Sequence, residues 1–242
     1  DVDPPVFEDV PADIIQSTDP GESTAVVTWT PPTATDAIDG AVTPVLSAGL
    51  PPGSTFPLGE TVIGYMATDA SGNADSVTFT VTVVDTEAPE FAPQGDISTD
   101  TDPGEATAIV TWTPPAATDN VDGSVTPVQT AGPAPGSAFP VGDTTITYTA
   151  TDAAGNDVQT SFTVSVSDAE DPVLADVPAD IAVDTDAGLP TAVVTWTAPT
   201  ATDNVDGAVT PVQTAGPAPG SAFPLGDTTI TYTATDAAGN EA

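Results

Sequence analysis

The sequence predicts an all-β protein built from three tandem antiparallel β-sandwich domains in an elongated array. Three observations lead to this prediction: a long internal repeat, short segments in which apolar and polar residues alternate, and frequent Pro and Gly between those segments. A period of two is typical of half-buried strands. Several short strands per repeat, with no helical period, are typical of a β-sandwich.

The repeat is visible first in the aromatic residues. Trp29, Trp112 and Trp196 lie 83 and 84 residues apart, and the three tyrosines repeat both spacings. A fixed period of this length indicates one structural unit per repeat. We therefore place the domains at residues 1–84 (repeat one), 85–167 (repeat two) and 168–242 (repeat three).

Within each repeat the alternating segments assign side chains to a core. In repeat two, Ile146, Tyr148 and Ala150 alternate with threonines, and a second run carries its apolar residues at 162, 164 and 166. The tryptophan is expected to face inward from the second strand. The tyrosine follows a Gly-containing turn, which leaves two interpretations open: a tyrosine corner, whose hydroxyl bonds nearby backbone, or a simple core residue.

Repeat three is expected to lack its final strand. Ala242 aligns with Val158, so the strand-like segment 159–167 has no counterpart in repeat three. A sandwich without that strand would expose an apolar groove and an open edge. Either the chain is a segment of a longer array of repeats, or another subunit donates the missing strand. We favour the first, because residues 1–5 offer no spare strand as donor.

Charge excludes several function classes. The chain has 36 Asp and Glu but no Lys, Arg or His, a net charge of −36. Nucleic-acid binding depends on Lys and Arg at the phosphates, so nucleic acid is excluded as a partner. Direct membrane insertion is not expected either, since no apolar run approaches the roughly 20 residues of a spanning helix. The sequence has no Cys for disulfides.

The ordered motifs of each repeat resemble a known family. In repeat two they are the tryptophan segment, then Ala-Thr-Asp-Asn-Val-Asp-Gly at 117–123, then Phe-Pro-Val-Gly-Asp-Thr-Thr-Ile-Thr-Tyr-Thr-Ala-Thr-Asp at 139–152. Together they are similar to the hyalin repeat (HYR) across essentially the whole chain. The resemblance implies an Ig-like or fibronectin-III-like fold and an extracellular setting, secreted or cell-surface, with a role in adhesion. Repeat one departs where Ala37 replaces Asn120.

Acidic residues are expected to gather where each linker enters the next repeat. An up-and-down strand path brings the linker, the loop after the tryptophan segment and the loop after the tyrosine strand to one end of each sandwich. Carboxylate clusters without Lys or Arg either stay solvated or bind a cation, and hard oxygen ligands suit calcium. We therefore predict calcium as the cofactor. The candidate ligands are Asp85, Glu87, Asp119, Asp122 and Asp152 in repeat two; Asp168, Glu170, Asp203, Asp206 and Asp236 in repeat three; and Asp1, Asp3, Asp36, Asp39 and Asp69 in repeat one.

The surroundings of the linkers strengthen the calcium prediction. The opposite end of repeat one carries Asp19, Glu22 and Glu60. Two acidic ends that meet without a cation would repel each other. The alternative remains that these Asp, Asn and Gly residues only form solvated turns.

The function predicted from the sequence is a structural spacer, adhesive stalk or filament segment, and not an enzyme. Carboxylates alone can catalyse glycoside hydrolysis, but the candidates recur on surface loops of near-identical repeats. The expected partners are other repeats of the same or neighbouring chains. Two alternatives remain open: a module that binds a carbohydrate or a cell-surface protein, and a spacer attached to a secreted enzyme.

Overall fold

The computed structural model describes residues 2–242, and all regular secondary structure in that range is β-strand. The all-β prediction is confirmed. Asp1, one of the predicted cation ligands, lies outside the described residues. A search of the same range for helices long and apolar enough to cross a membrane finds none.

Repeat one forms nine strands in three hydrogen-bonded sheets. Their orders are β1-β4-β5, β2-β9-β8-β6 and β3-β7. The strands are β1 (Val6–Glu8), β2 (Ile14–Ser17), β3 (Thr24–Val27), β4 (Thr33–Asp36), β5 (Gly40–Val42), β6 (Val45–Ala48), β7 (Ser54–Pro57), β8 (Gly59–Thr68) and β9 (Ala74–Val84).

Repeat two repeats this arrangement strand for strand. The sheet orders are β10-β13-β14, β11-β18-β17-β15 and β12-β16. The strands are β10 (Glu90–Phe91), β11 (Ile97–Asp100), β12 (Thr107–Val110), β13 (Ala117–Asp119), β14 (Gly123–Val125), β15 (Val128–Ala131), β16 (Ser137–Pro140), β17 (Gly142–Thr151) and β18 (Asp157–Ser167).

One strand pair in each of these repeats departs from the antiparallel arrangement predicted. β2 lies parallel to β9, and β11 lies parallel to β18, while the other pairings described are antiparallel. The second strand of each of these repeats, β2 or β11, therefore adds to the outer side of the last strand. It can form only if the last strand is there to receive it.

The core of repeat one joins its sheets through aromatic rings. Trp29 packs edge-on against Phe56 of β7 and Phe79 of β9, with ring centroids 5.9 and 5.4 Å apart. The indole N–H of Trp29 donates to the hydroxyl of Tyr65, at 3.1 Å. This bond gives the buried tyrosine hydroxyl a partner and ties the two landmark residues together. Ile63 and the apolar face of β9 complete the cluster.

The tryptophan lies just beyond the strand to which the sequence assigned it. β3 ends at Val27 and β12 ends at Val110, two residues before each tryptophan. A Pro-Pro pair follows shortly after in both repeats, and proline cannot donate to a strand ladder. The indole still points inward, as predicted, because its partly buried ring packs on the core phenylalanines.

Repeat three has fewer and shorter strands. The sheet orders are β19-β21-β22, β20-β24 and β23-β25. The strands are β19 (Val173–Ala175), β20 (Thr191–Val193), β21 (Thr200–Asp203), β22 (Gly207–Val209), β23 (Val212–Ala215), β24 (Ala222–Pro224) and β25 (Thr231–Thr233).

The region of repeat three that aligns with β2 and β11 forms no strand. Residues 180–185 have no regular structure, and Ile181 and Val183 are 49% and 58% exposed. They border a groove that Trp196, Phe223 and Ile230 also line. The equivalents of Phe223 and Ile230 in the other repeats are fully buried. In those repeats the equivalent space holds the apolar face of the last strand.

Close packing divides the chain into two compact bodies. One contains residues 2–93 with Pro114–Val128 and Tyr148–Thr160, and the other contains Gln94–Thr113, Gln129–Thr147 and Ser161–Ala242. Each linker lies inside one body, so each can be described with the loops that surround it.

Appending the sequence of residues 159–167 after Ala242 should stabilise repeat three. The added strand would bury one phenylalanine and two valines, each worth about 1.5–3 kcal/mol when fully buried. It would also give residues 181–184 a strand to pair with. We expect a higher melting temperature by calorimetry, and slower amide exchange at residues 181–184.

The matched control appends the same nine residues with serine at the three inward positions. If both extensions stabilise repeat three equally, or if neither does, the groove does not bind the added strand.

Candidate cation centre at the repeat joints

Three segments of the chain bring carboxylates together where the first linker enters repeat two. Asp85 directly follows β9, Asp119 ends β13, and Asp152 directly follows β17. One carboxylate oxygen from each lies within 4.8 Å of the others. We call this group acidic triad one. The same group recurs at the second linker as acidic triad two, formed by Asp168, Asp203 and Asp236.

The turn after β13 fixes one oxygen of Asp119. Its Oδ1 accepts hydrogen bonds from the N–H groups of Val121 and Asp122, at 2.8 and 2.9 Å. Aspartate is favoured in such turns because its short side chain reaches the backbone two or three residues ahead. The other oxygen, Oδ2, is buried and has no hydrogen-bond partner. Asp203 has the same bonds and the same unpartnered Oδ2, in a side chain that is only 9% exposed.

Asp152 is held more completely. Its Oδ1 accepts from the N–H groups of Gly155 and Asn156, at 2.6 and 2.8 Å, and its Oδ2 accepts from the Asn156 side-chain amide at 2.7 Å. The Ala-Ala-Gly-Asn segment thus folds into a cradle around this carboxylate. Asp236 has the equivalent bonds from Gly239 and Asn240.

The linker carboxylate is only half satisfied. Oδ1 of Asp85 accepts from the N–H of Glu87 at 3.1 Å, and its Oδ2 is buried without a partner. Asp168 repeats this arrangement with Glu170, at 3.2 Å. Each triad therefore contains two buried carboxylate oxygens that no donor in residues 2–242 satisfies. A buried acceptor without a partner is costly, so such oxygens are typical of positions that bind water or an ion.

The electrostatics of the triads differ from one member to another. Burial raises the pKa of Asp85 above its ordinary value of 3.8, and repulsion from Asp119 and Asp152 adds to the rise against the Glu87 hydrogen bond. Asp168 shows the same rise for the same causes. Burial also acts to raise the pKa of Asp152, but the hydrogen bonds from Asn156 and the following loop outweigh it, and the pKa is lowered.

The other residues predicted as ligands have backbone partners. Oδ2 of Asp122 accepts from the N–H of Ala153 at 2.6 Å, which joins the two loops beside triad one, and Asp206 does the same with Ala237. The carboxylate of Glu87 accepts from the N–H of Gly21 in repeat one. Glu170 bonds Gly104 in the same way.

Repeat one has the loops but, in the described residues, no group of three acids. Asp36 accepts from the N–H groups of Ile38 and Asp39, and these backbone bonds lower its pKa. Asp39 accepts from Ala70, and Asp69 is held by Asn73. Asp3 is exposed.

At the first joint repeat one contributes backbone groups, where the sequence predicted only carboxylates. Its loop at residues 19–22 is a tight turn in which the N–H of Glu22 donates to the carbonyl of Asp19 at 2.9 Å. The side chain of Asp19 accepts from Val26 in its own loop. The loop thus presents mainly backbone groups to repeat two. The recurring Asp-Pro-Gly-Glu sequence at 19–22 and 102–105 was the available signal.

These observations define a class: a tandem β-sandwich protein with an acidic centre beside each of its two linkers. The family model "HYR domain" matches residues 1–83, 84–166 and 167–242. The chain therefore belongs to the HYR family, and the resemblance stated from the motifs is confirmed. The fold is three tandem Ig-like β-sandwich domains, as predicted.

Relatives with curated sequences agree with this assignment. Hyalin of Lytechinus variegatus is 39% identical over 233 residues, which cover 95% of this chain and 43% of that protein. Sushi repeat-containing protein SRPX2 of Homo sapiens is 40% identical over 93 residues, 38% of this chain and 20% of that protein. The chain thus spans less than half the length of the curated relatives it matches.

Among solved structures, a protocadherin gammaB4 extracellular domain aligns with 99% of this chain and 48% of its own, at 17% identity and a TM-score of 0.39. Human CDH23 EC21-23 aligns over 99% and 98%, at 16% identity and a TM-score of 0.35.

Replacing Asp85 with Asn should stabilise the cation-free protein at neutral pH. Because the folded pKa of Asp85 is raised, its ionisation opposes folding. That cost appears as pH rises through 3.8 and is complete above the folded pKa. We expect Asp85→Asn to gain at most about 1 kcal/mol near pH 7, the scale of partly exposed charge interactions, and nothing near pH 3.

The measurement is thermal unfolding in chelator across this pH range, with Asp75→Asn as a control at an exposed aspartate. A variant less stable than the parent near pH 7 would contradict the repulsion described for triad one.

Proposed function

We propose that this chain is an extracellular structural spacer or adhesive stalk segment, and that calcium stiffens its inter-repeat joints. The main support for this proposal is that both linkers have the same structure, each beside an acidic triad with buried oxygens that have no hydrogen-bond partner. A spacer needs repeated joints of fixed geometry, whereas recognition loops usually diverge. The partners proposed are other repeats of the same or neighbouring chains.

Calcium fits the triads better than magnesium does. Calcium binds six to eight oxygens at about 2.3–2.6 Å, so one ion can bridge oxygens about 5 Å apart. The triad oxygens, within 4.8 Å of one another, can share it. Magnesium requires shorter bonds, of about 2.0–2.1 Å, in strict octahedral geometry. At the second joint the side-chain oxygen of Asn204 is also buried without a hydrogen bond, and it is a further oxygen donor.

The ion would supply positive charge that the chain itself lacks. In triad one the residues that would hold it are Asp85, Asp119 and Asp152, and Asn156 and the turn backbone orient two of them. Neutralising the triad removes the repulsion that raises the pKa of Asp85. The linker would then be attracted to the loops of repeat two instead of repelled by them, which is the proposed source of stiffness.

The extracellular setting accords with the expected calcium affinity. Extracellular modules bind calcium with dissociation constants of about 10⁻⁴–10⁻³ M, which suits partly exposed sites with few protein ligands. Membership of a family of adhesion-related repeats supports the same setting. We also propose that the chain is not an enzyme, because the candidate carboxylates are bonded within loops that recur at each joint.

Calcium should stabilise the protein through two sites. At about 10 mM calcium and the affinities above, linkage gives about 1.4–2.7 kcal/mol per site. Asp119→Asn and Asp203→Asn should each abolish one site in isothermal titration calorimetry and remove that site's share of the thermal stabilisation. Repeat one should bind most weakly, because Ala37 replaces the asparagine present in the other two repeats.

The control is again Asp75→Asn, which removes one charge outside the triads and should keep both sites. Identical melting temperatures in calcium and in chelator for the parent protein would refute the calcium proposal.

A further inference from the structure

Each joint contains two direct hydrogen bonds between successive repeats, separate from the acidic triad. At the first joint the carboxylate of Glu87 accepts from the N–H of Gly21 at 2.9 Å, and the side-chain amide of Asn120 donates to the carbonyl of Glu22 at 2.7 Å. The second joint repeats both bonds with the same shortest distances. Its pairs are Glu170 with Gly104 and Asn204 with Glu105.

The turn of the preceding repeat, at residues 19–22 in the first joint, has a backbone conformation that suits these bonds. Gly21 has a positive φ of 75°, a conformation that favours glycine, and no atom lies within 4 Å of where its Cβ would be. The turn aims the N–H of Gly21 and the carbonyl of Glu22 outward. Gly104 has the same φ and the same open surroundings.

Glu87 connects this contact to the acidic triad. Its carboxylate holds Gly21, while its own N–H donates to Oδ1 of Asp85. The side-chain amide of Asn156, which cradles Asp152, lies 3.5 Å from the carbonyl of Asp85. The position of Asp85 is therefore set from two sides, by Glu87 and by the loop after β17.

We propose that Glu87 with Asn120, and Glu170 with Asn204, form an inter-repeat latch that positions the linker aspartate, so that latch closure and cation binding stabilise each other. In this assignment Glu87 and Glu170 are positioning residues, not cation ligands. The coupling rests on the proposed cation site, but the latch itself does not. Its partner is the Asp-Pro-Gly-Glu turn of the repeat before it.

Repeat one carries different residues at both positions that form the latch in the later repeats. Asp3 stands at the position of Glu87, with a side chain one methylene shorter, and Ala37 stands at the position of Asn120. Both latch side chains are thus changed together. At these two positions repeat one therefore differs from repeats two and three.

Two substitutions distinguish a latch role of Glu87 from a role as a cation ligand. Glutamine keeps an oxygen that can accept from Gly21 but loses the charge, whereas alanine loses both. If Glu87 acts as a latch, Glu87→Ala should lower the calcium affinity of the first joint about tenfold, within the usual range of coupling between sites. The calcium affinity of Glu87→Gln should then stay near that of the parent protein. For a ligand, both should weaken it similarly, since a neutral amide replaces a carboxylate poorly.

The measurement is isothermal titration with calcium chloride on the full chain, with the second joint as an internal reference. The control is Glu22→Gln, which removes a charge at the same joint but leaves the carbonyl that Asn120 uses. The aligned position in repeat three is Leu189, and its turn keeps the same backbone bond to Asp186. Equal losses for Glu87→Gln and Glu87→Ala, or no loss for Glu87→Ala, would overturn the coupling.

Amide exchange of Gly21 in chelator tests the latch without calcium. Glu87→Ala should speed that exchange about tenfold, consistent with loss of one charge-assisted hydrogen bond, whereas Asp119→Asn should leave it unchanged. A parent protein that binds no calcium yet shows this difference would refute the proposed cation site and keep the latch. Gly21 exchange that is equally fast in the parent and in Glu87→Ala would refute the latch.

Discussion

Every negative charge in this chain has to be accommodated without a single cationic side chain. With 36 acids and no Lys, Arg or His, no carboxylate can be neutralised by a side chain, and intrachain ion pairs between side chains do not exist. The remaining partners are backbone N–H groups, side-chain amides, water and external ions. Carboxylates at loop positions then acquire structural roles, because loops are where N–H groups are free to donate.

Backbone N–H groups and a side-chain amide both donate to Asp152. The Ala-Ala-Gly-Asn loop supplies backbone donors, and Asn156 adds its amide. These bonds lower the pKa of Asp152 even though burial acts in the opposite direction. Asp85 receives one such bond and faces two other carboxylates, so its pKa rises. Between these two acids, the number of hydrogen-bond donors decides the direction in which the pKa is shifted.

The same constraint shapes the joint between repeats. The turn at residues 19–22 directs the carboxylate of Asp19 into its own loop and offers backbone N–H and carbonyl groups to the next repeat. The contact between repeats one and two thus relies on backbone N–H and carbonyl groups of the turn, on the carboxylate of Glu87 and on the side-chain amide of Asn120. This geometry in part avoids the expected meeting of opposed acids, and three carboxylates still converge in the triad.

Packing within each sandwich depends on a different feature, the last strand. β9 and β18 receive the second strand of their repeat on one side and contribute the phenylalanine that packs on the tryptophan. Within residues 168–242, Trp196 contacts Phe223, and residues 180–185 form no strand. The parallel pairing in the other repeats accounts for this, because a strand at these residues would need a partner equivalent to β9 or β18.

The sequence by itself determined the repeat, the all-β class, the inward face of the tyrosine strand and the family, because these follow from local periodicity and ordered motifs. It also marked the loops that carry Asp85, Asp119 and Asp152. Only the tertiary structure decided which acids share a centre, and Asp85, Asp119 and Asp152 do. The carboxylates of Glu87 and Asp122 are instead oriented towards the N–H groups of Gly21 and Ala153. Orientation depends on contacts such as Gly21 with Glu87, 66 residues apart, and no local pattern specifies such contacts.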